Sequence, residues 1–338
     1  MSMIGVHRSR SVAVLAAITA AMIGVAGCGS SGSGGKRVAL IAYSVPKPAY
    51  DALEAAFTKT GPGKGVNFSA SYGPSGTQSK MVSSGQPADF VAFSLEPDMT
   101  KLVPKFVSSS WNSGSTKGIV SDSVVVIAVR KGNPKHITGW NDLIKPGVKI
   151  VTPDPASSGS ARWNILAAYE QVLQDGGSAG QASAYLKAFF QHVVSKPSSG
   201  ATATTTFTSG TGDALISYEN EAIGARQKGA DLDYLVPDES ILIENPVAVT
   251  VKASQSAKDF LAFALSRPGQ QIFAARGFRP VVPGVSVGEV QGANDPSHPF
   301  PAVKKLVTVA ELGGWSKVNS EFFDPDNGIV TKIEAEVG

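Results

Sequence analysis

The sequence predicts an α/β protein with enough chain for two domains. From Arg37 onward, short apolar and β-branched runs alternate with segments of helical periodicity, and such an order requires parallel strands joined by crossover helices. The chain has 338 residues, 42% of them hydrophobic, with 36 glycines and 21 prolines, which is a globular composition with slightly more turn formers than usual. We therefore expect two α/β lobes, each with its own core.

The predicted elements follow one another in a regular order. Strands are expected at 37–43, 67–73, 88–94, 124–129 and 148–152. Helices are expected at 49–61, 76–85, 140–144 and 161–173. The same texture continues through 214–229, 233–240 and 242–252, and two helices at 257–266 and 269–277 follow.

The charge of the chain argues against nucleic acid as a partner. Charged residues make up 17% of the sequence and the formal net charge is +3. The basic residues are scattered rather than clustered, so no strong field of one sign exists to attract a polyanion.

The first 27 residues are typical of an export signal. His7, Arg8 and Arg10 precede an apolar stretch that is too short and too close to the N-terminus for an ordinary spanning helix. The stretch ends in Val25-Ala26-Gly27-Cys28, which resembles the lipobox of bacterial lipoproteins, where the cysteine thiol receives lipid. A plain secretory signal with an incidental cysteine is the alternative. Residues 28–36 are rich in glycine and serine and are expected to form a flexible tether.

The stretch TPDPASSGSARWNIL, residues 152–166, predicts a helix start that presents bare backbone. Ser158 and Ser160 are residue types favoured at helix N-caps, and Gly159 lets the backbone approach a ligand closely. A helix start offers unpaired N–H groups and a partial positive charge, which together form a small anion site without a formal cation. An ordinary capped helix is the alternative interpretation of this stretch taken alone.

Three further loops of the same small, polar kind occur in the chain. They are 43–46 after the first strand, 72–77 between a strand and a helix, and 198–202. In parallel α/β sheets, ligands bind beyond the carboxyl ends of the strands, where such loops meet. We therefore expect the four loops to line one site.

The segment RKGNPKHITGWNDLIKPGVKIVTPDPASSGSARWNILAAY, residues 130–169, resembles the central part of bacterial sulfate-binding proteins, the extracytoplasmic receptors of sulfate importers. GTGDALISYENEA, YGPSGTQSK, ESILIENPVAV and LGGWSK resemble further parts of the same family. The resemblance implies a two-lobed, type II periplasmic-binding-protein-like α/β fold with the ligand in a cleft between the lobes. It places the first lobe at 37–120, the second at 121–239 and the return to the first lobe, with C-terminal helices, at 240–338.

The resemblance also implies a sulfate site built from neutral hydrogen-bond donors. Carried over by motif, the ligand-binding residues are Ser44, Ser75, Ser158, Gly159, Ser160, Ala201 and Tyr218. Ser44 and Ala201 contribute backbone amides, Ser75 a hydroxyl or an amide, and Tyr218 its hydroxyl, while Arg162 supports the loop from behind. Ser44, Ser160 and Tyr218 stand where the family has aspartate, glycine and tryptophan. Because a phenol can accept as well as donate, Tyr218 and Ser160 leave the selectivity between sulfate and phosphate open.

The implied function is that of a monomeric, lipid-anchored receptor on the outer face of the cell membrane, with Cys28 as the lipid attachment site. It captures sulfate and delivers it to the permease of an ABC importer whose ATPase is a separate subunit. No cofactor, metal or catalytic residue is expected. The alternatives are another oxyanion (thiosulfate, molybdate or phosphate), a ferric ion held by Tyr43, Tyr72 and Tyr218, and a secreted ester hydrolase. Glu219 and Glu221 open a helix pattern, and we expect them to cap it or face solvent.

Overall fold

A computed structural model describes residues 36–337 of the chain. The predicted export signal, Cys28 and the tether up to residue 35 lie outside the described residues. Within 36–337, no helix is both long enough and apolar enough to cross a bilayer.

Strands and helices alternate through most of the chain. The strands are β1 (Arg37–Tyr43), β2 (Asn67–Gly73), β3 (Phe90–Ala92), β4 (Ile119–Arg130), β5 (Ile150–Val151), β6 (Val193–Ser195), β7 (Ala214–Tyr218), β8 (Leu232–Leu235), β9 (Glu239–Val249) and β10 (Lys305–Val307). The helices are α1 (Lys47–Phe57), α2 (Ser75–Ser83), α3 (Glu96–Thr100), α4 (Gly159–Gln174), α5 (Ala179–Gln191), α6 (Gly200–Thr208), α7 (Glu219–Gln227), α8 (Gln255–Ala264), α9 (Arg267–Ala275), α10 (Gly314–Phe322) and α11 (Ile329–Val337). A 3₁₀ helix covers Trp140–Ile144.

The strands divide into two parallel groups. In the first strand group, β1 lies between β2 and β3 and pairs with both in parallel. In the second strand group, β5 lies between β6 and β7 and pairs with both in parallel. Each group has the crossover helices that parallel pairing requires.

Two long antiparallel strands join the groups into one sheet with the order β2-β1-β3-β9-β4-β7-β5-β6. The first half of β4 pairs with β9, and its second half pairs with β7 and β8. The end of β9 pairs with β3. The expectation of parallel strands throughout was therefore wrong for β4 and β9, because the chain uses these two strands to pass from one group to the other and back.

Aromatic rings fill the core behind the first strand group. Tyr50 of α1 packs edge to face against Phe90 of β3, with 5.7 Å between ring centroids. Phe57 lies about two turns after Tyr50 on α1, and its ring centroid is 5.3 Å from that of Phe260 of α8. Each such pair adds about 0.5–1.5 kcal/mol to the free energy of unfolding beyond its area of burial. This packing holds α1 rigidly, and with it the turn that follows β1.

Asp122 is a half-buried acid on the first half of β4, where β4 pairs with β9. It lies on β4 opposite Glu244 of β9, and its backbone also pairs with that of Arg279. Its Oδ1 atom has no hydrogen-bond partner within residues 36–337. Burial, and then the charge of Glu244, raise the pKa of Asp122 to about 7, although Arg279 opposes the rise.

We predict that Asp122→Asn stabilises the protein more at pH 8 than at pH 5. The pKa of the Asp122 carboxyl is raised to about 7 in the folded protein. The contribution of this group to the free energy of unfolding is therefore complete below its unfolded pKa and is lost as the pH rises through about 7. The asparagine side chain does not titrate, so the variant does not lose this contribution. Thermal unfolding should show a melting temperature at least about 2 °C above wild type at pH 8 and a smaller difference at pH 5. A difference that is constant across this pH range would contradict the assignment.

Candidate anion site

The start of α4 presents backbone amides to the interior. Ser158 occupies the N-cap position with extended backbone angles, and its own amide donates to the carbonyl oxygen of Asp154 at 2.8 Å. Gly159 and Ser160 are the first two helical residues, and within residues 36–337 neither amide has an acceptor. All three residues are buried. The sequence-predicted helix start therefore offers two unpaired N–H groups, a hydroxyl and the positive end of a 16-residue helix.

Gly159 allows the helix start to touch the end of β3. A Cβ atom added at Gly159 would lie 2.6 Å from Oγ of Ser94 and 2.8 Å from Cγ of Leu95. Any larger residue would push the two segments apart. Ser94 was not named as a site residue, because a serine directly after a strand belongs to no motif.

Ser75 enters the site through its amide rather than its hydroxyl. Its Oγ donates to Oδ2 of Asp98 at 2.7 Å and accepts from the amide of Ser94 at 3.0 Å. The Ser75 amide is at the first position of α2 and finds no acceptor in the described chain. Of the two Ser75 donors expected from the sequence, only the amide is thus available to a ligand.

The start of α6 meets the turn after β1. Ser199 caps α6 by accepting from the amide of Thr202 at 3.2 Å. A Cβ atom added at Gly200 would lie 2.8 Å from Oγ of Ser160 and 3.0 Å from Cγ2 of Val45, the residue after Ser44. Ala201, which the sequence analysis predicts as a ligand residue, is the second residue of α6 and directly follows Gly200. The sequence feature that could have indicated Gly200 is a small residue directly after an N-cap serine.

Tyr218 closes the site from the end of β7. Its side chain is fully buried, and its hydroxyl lies 2.7 Å from Oγ of Ser94. Burial raises the pKa of Tyr218 well above its usual value, while hydrogen bonds with Ser160 and Ser94 partly oppose the rise. The phenol therefore stays protonated at physiological pH and keeps a hydrogen to donate.

Two basic side chains, Arg162 of α4 and Lys101 after α3, are bonded to groups outside the proposed site. Arg162 donates to Oδ1 of Asn319 at 2.8 Å and approaches the carbonyl oxygen of Pro155 at 3.5 Å. Its guanidinium also stacks over the ring of Phe323 at 4.7 Å. Lys101 pairs with Oδ1 of Asp98 at 2.9 Å. The contacts of Arg162 tie the loop before α4 to α10.

Glu219 and Glu221 lie in the first turn of α7, where the sequence predicts acids that cap the helix or face solvent. Glu219 does not face solvent; it is completely buried, because it receives Nε of Arg279 at 2.7 Å and Nη2 at 3.1 Å. Glu221 accepts from Oγ1 of Thr204 at 2.7 Å. Burial raises the pKa of both carboxyls. Within residues 36–337, no group of three or more His, Cys, Asp or Glu side chains is arranged to hold a metal ion.

A cavity of about 470 Å³ lies beside the site, between α6, α7 and the turn after β1. Val45 and Ala201 line it next to the loops described above, and Thr204, Glu221 and Lys228 line its polar wall. None of the hydroxyls or amides of Ser75, Ser94 and Ser158–Ser160 lines this cavity. The hydroxyls and amides of the helix starts therefore face a different space from this cavity.

Comparisons with known proteins agree with this geometry. A family model described as bacterial extracellular solute-binding protein matches residues 38–279. The sulfate-binding protein of Synechococcus elongatus is 39% identical over 342 residues, covering 94% of this chain and 94% of that protein. The thiosulfate-binding protein of Pseudomonas aeruginosa is 30% identical, covering 87% of this chain and 90% of that protein.

A solved structure of a sulfate-binding protein also resembles this chain. The sulfate-binding protein SubI from Mycobacterium tuberculosis is 41% identical and superposes with a TM-score of 0.80, covering 86% of this chain and all of that one. The predicted two-lobed α/β binding-protein fold is confirmed by this match. The relatives carry the names of solute-binding proteins rather than enzymes, which supports the predicted non-enzymatic role.

We predict that Arg279→Met lowers the free energy of unfolding by about 3 kcal/mol, because it leaves the buried Glu219 carboxylate without its partner. Chemical denaturation measures the loss. Lys47→Met is the control, since the Lys47–Asp51 pair is exposed and its loss should change stability by no more than about 0.5 kcal/mol. Equal losses in the two variants would show that the Glu219 pair is not the stabilising contact described here.

Proposed function

Since the chain belongs to the family of bacterial extracellular solute-binding proteins, we propose that it captures sulfate outside the cytoplasm and passes it to the permease of an ABC importer. The ATPase of that importer is a separate subunit. The ligand is the sulfate dianion, held by the amides of Ser75, Gly159, Ser160 and Gly200, with the hydroxyls of Ser158 and Tyr218. The amides of Ser44 and Ala201 complete the proposed set.

The observation that carries this proposal is the convergence of unpaired helix-start amides at one buried place. Burying a charge is prohibitive unless its lone pairs are met, and fixed dipoles can meet them without a counter-ion. A hydrogen bond to a charged group contributes roughly 1.5–3 kcal/mol, so about six such bonds offset the desolvation of the anion. Helix starts supply these donors already oriented, so little ordering entropy is lost on binding.

We further propose that binding closes a hinge between two lobes. Residues 37–120 and 240–338 form one lobe and residues 121–239 the other, and β4 and β9 carry the chain between them. Contacts of Ser94 with Trp163 and Tyr218 link the two lobes. The anion meets the donors of one lobe first, and closure brings the donors of the other, as in other two-lobed binding proteins.

Membrane attachment is the second part of the proposal. Cys28 is the only cysteine of the chain, and it directly follows the predicted signal. Acylation at Cys28 holds the folded part at the membrane surface through the glycine-rich tether, with more than one acyl chain for stable anchoring. The receptor acts there as a monomer.

Thiosulfate is the second candidate ligand. Relatives named thiosulfate-binding proteins match most of the chain, at 30% and 29% identity. Thiosulfate is also a dianion with a tetrahedral arrangement of acceptors, so the same donors suit it. The decisive experiment is calorimetric titration of the soluble mature protein with sulfate, thiosulfate, molybdate and phosphate. Binding of none of these oxyanions would overturn the proposal.

We predict that Ser158→Ala weakens sulfate binding by at least about tenfold, equivalent to about 1.4 kcal/mol, because it removes a hydroxyl donor at the α4 start. Calorimetric titration measures the change. Ser157→Ala is the matched control: its hydroxyl donates to the carbonyl oxygen of Ser198 at 2.9 Å, and its loss should change affinity by less than about threefold. An unchanged affinity in Ser158→Ala would refute the role of this hydroxyl.

We predict that Cys28→Ser abolishes lipid attachment and releases the protein from the membrane. Expression in a bacterial host, followed by cell fractionation and mass spectrometry of the mature N-terminus, detects both changes. The wild-type protein should fractionate with membranes and carry an acylated N-terminal cysteine. Wild-type protein recovered in soluble form without lipid would contradict the anchoring proposal while leaving the receptor proposal intact.

A further inference from the structure

Ser94 links the two halves of the site through its carbonyl oxygen and its hydroxyl. It is completely buried just beyond β3. Its amide donates to Oγ of Ser75 at 3.0 Å, and its carbonyl oxygen accepts from Nε1 of Trp163 at 2.9 Å. Its hydroxyl is left for one neighbour, the hydroxyl of Tyr218 at 2.7 Å. The backbone of Ser94 is therefore held from both sides, which aims its side chain at the phenol.

The direction of the Ser94–Tyr218 hydrogen bond decides what Tyr218 can do. A phenol has one hydrogen to donate and can also accept. If Tyr218 donated to Ser94, it would have no hydrogen left for a ligand. If Ser94 donates to Tyr218, the phenolic hydrogen is free. Within residues 36–337 the Ser94 hydroxyl has no acceptor other than Tyr218, so nothing competes for its hydrogen.

The Ser75 hydroxyl differs from the Ser94 hydroxyl in having an acceptor for its hydrogen. The Ser75 hydroxyl lies beside a carboxylate, Oδ2 of Asp98, which takes its hydrogen. No carboxylate is bonded to the Ser94 hydroxyl. Ser94 and Ser75 are neighbours, yet only Ser94 has a hydrogen to give to Tyr218.

Ser160 lies on another side of the same phenol. Its side chain lowers the pKa of Tyr218 against the effect of burial, as Ser94 does. Ser160 is confined on its other side by Gly200, where an added Cβ would lie 2.8 Å from the Ser160 oxygen. Two serine hydroxyls thus approach one phenolic oxygen, which is as many hydrogen bonds as its lone pairs accept.

We propose that Ser94 is a positioning residue that, together with Ser160, fills the acceptor positions of Tyr218 and makes this tyrosine a donor only. The proposal rests on the proposed oxyanion site and concerns its specificity. A donor-only cage accepts the fully ionised sulfate. It rejects hydrogen phosphate, because the P–OH hydrogen would face another donor and leave both groups unpaired.

Tyr218 and Ser160 are the two residues at which the sequence leaves the selectivity between sulfate and phosphate open. Each residue alone adds an acceptor to the site. With Ser94 and Ser160 both donating to it, Tyr218 has no acceptor position left for the ligand and offers only its hydrogen. Removing the Ser94 hydroxyl reopens one acceptor position on Tyr218, which a P–OH group can then use.

The test compares sulfate and phosphate affinities of wild type and Ser94→Ala by calorimetry at about pH 8, where phosphate is mainly the monohydrogen dianion. We expect the ratio of sulfate to phosphate affinity to fall by at least about tenfold in Ser94→Ala, chiefly through tighter phosphate binding. Ser79→Ala is the matched control, because its buried hydroxyl donates to the carbonyl oxygen of Asp98 and does not contact Tyr218. Its ratio should equal that of wild type.

A second background separates positioning from mere structural support. In Tyr218→Trp the indole N–H donates but cannot accept, so adding Ser94→Ala should leave the ratio unchanged. Ser160→Gly in the wild-type background keeps the amide and should lower the ratio, as Ser94→Ala does. Circular dichroism and thermal unfolding establish that each variant is folded.

The outcomes are distinguishable from failure of the receptor proposal. Wild-type protein that binds no oxyanion overturns the proposed function itself. Wild type that prefers sulfate while Ser94→Ala and Ser160→Gly keep the wild-type ratio overturns only the role of Ser94 and Ser160. A fall of the same size in the Tyr218→Trp background also overturns it, since no acceptor position is then at stake.

Discussion

Unpaired peptide N–H groups at the starts of three helices are the feature on which the site depends. Each of α2, α4 and α6 begins at the same buried place, and the first amides of each have no partner within their own helix. Such groups are costly to bury without an acceptor. In the proposed complex, a dianion accepts hydrogen bonds from all of them, so the anion and the helix starts stabilise each other.

The fold brings these helix starts together through strand order. Ser44, Ser75 and Ser94 follow the three strands of the first group, and Tyr218 and the loop before α4 lie at strand ends of the second. The two groups run in opposite directions, because β9 and β4 pair antiparallel with each other and with β3 and β7. The carboxyl ends of the two groups therefore face one another across β4 and β9. Glycine at 159 and 200 then sets how closely the segments approach, since a Cβ at either position would overlap its neighbour.

The helix start at Ser158–Ser160 and the loop at Ser75 could be predicted from the sequence because serine and glycine before an apolar helical pattern have a direct local meaning. Ser94 could not, because its role comes from neighbours that are 69 and 124 residues away in the chain. Glu219 was misjudged for the same reason. Acids are favoured in a first helical turn, but the partner that buries this one, Arg279, lies 60 residues later.

Secondary structure could likewise be predicted where the local pattern of residues decides it. The strongly apolar runs that became β1, β3 and the centre of β4 were recognised, as was the α4 helix. No range was predicted for α3, α5, α10 and α11. The helix α6 was taken for a loop, because threonines dominate its sequence GATATTTFT and have low helix propensity. Capping by Ser199 and burial of Phe207 against Arg130 hold α6 in place instead.

The most direct test is a high-resolution crystal structure of the mature protein with sulfate. We expect sulfate oxygens within hydrogen-bonding distance of the amides of Gly159 and Ser160 and of the Tyr218 hydroxyl, with no lysine or arginine nitrogen within about 4 Å. Sulfate paired directly with Arg162 or Lys101, or bound in the adjoining cavity lined by Glu221 and Lys228, would contradict it.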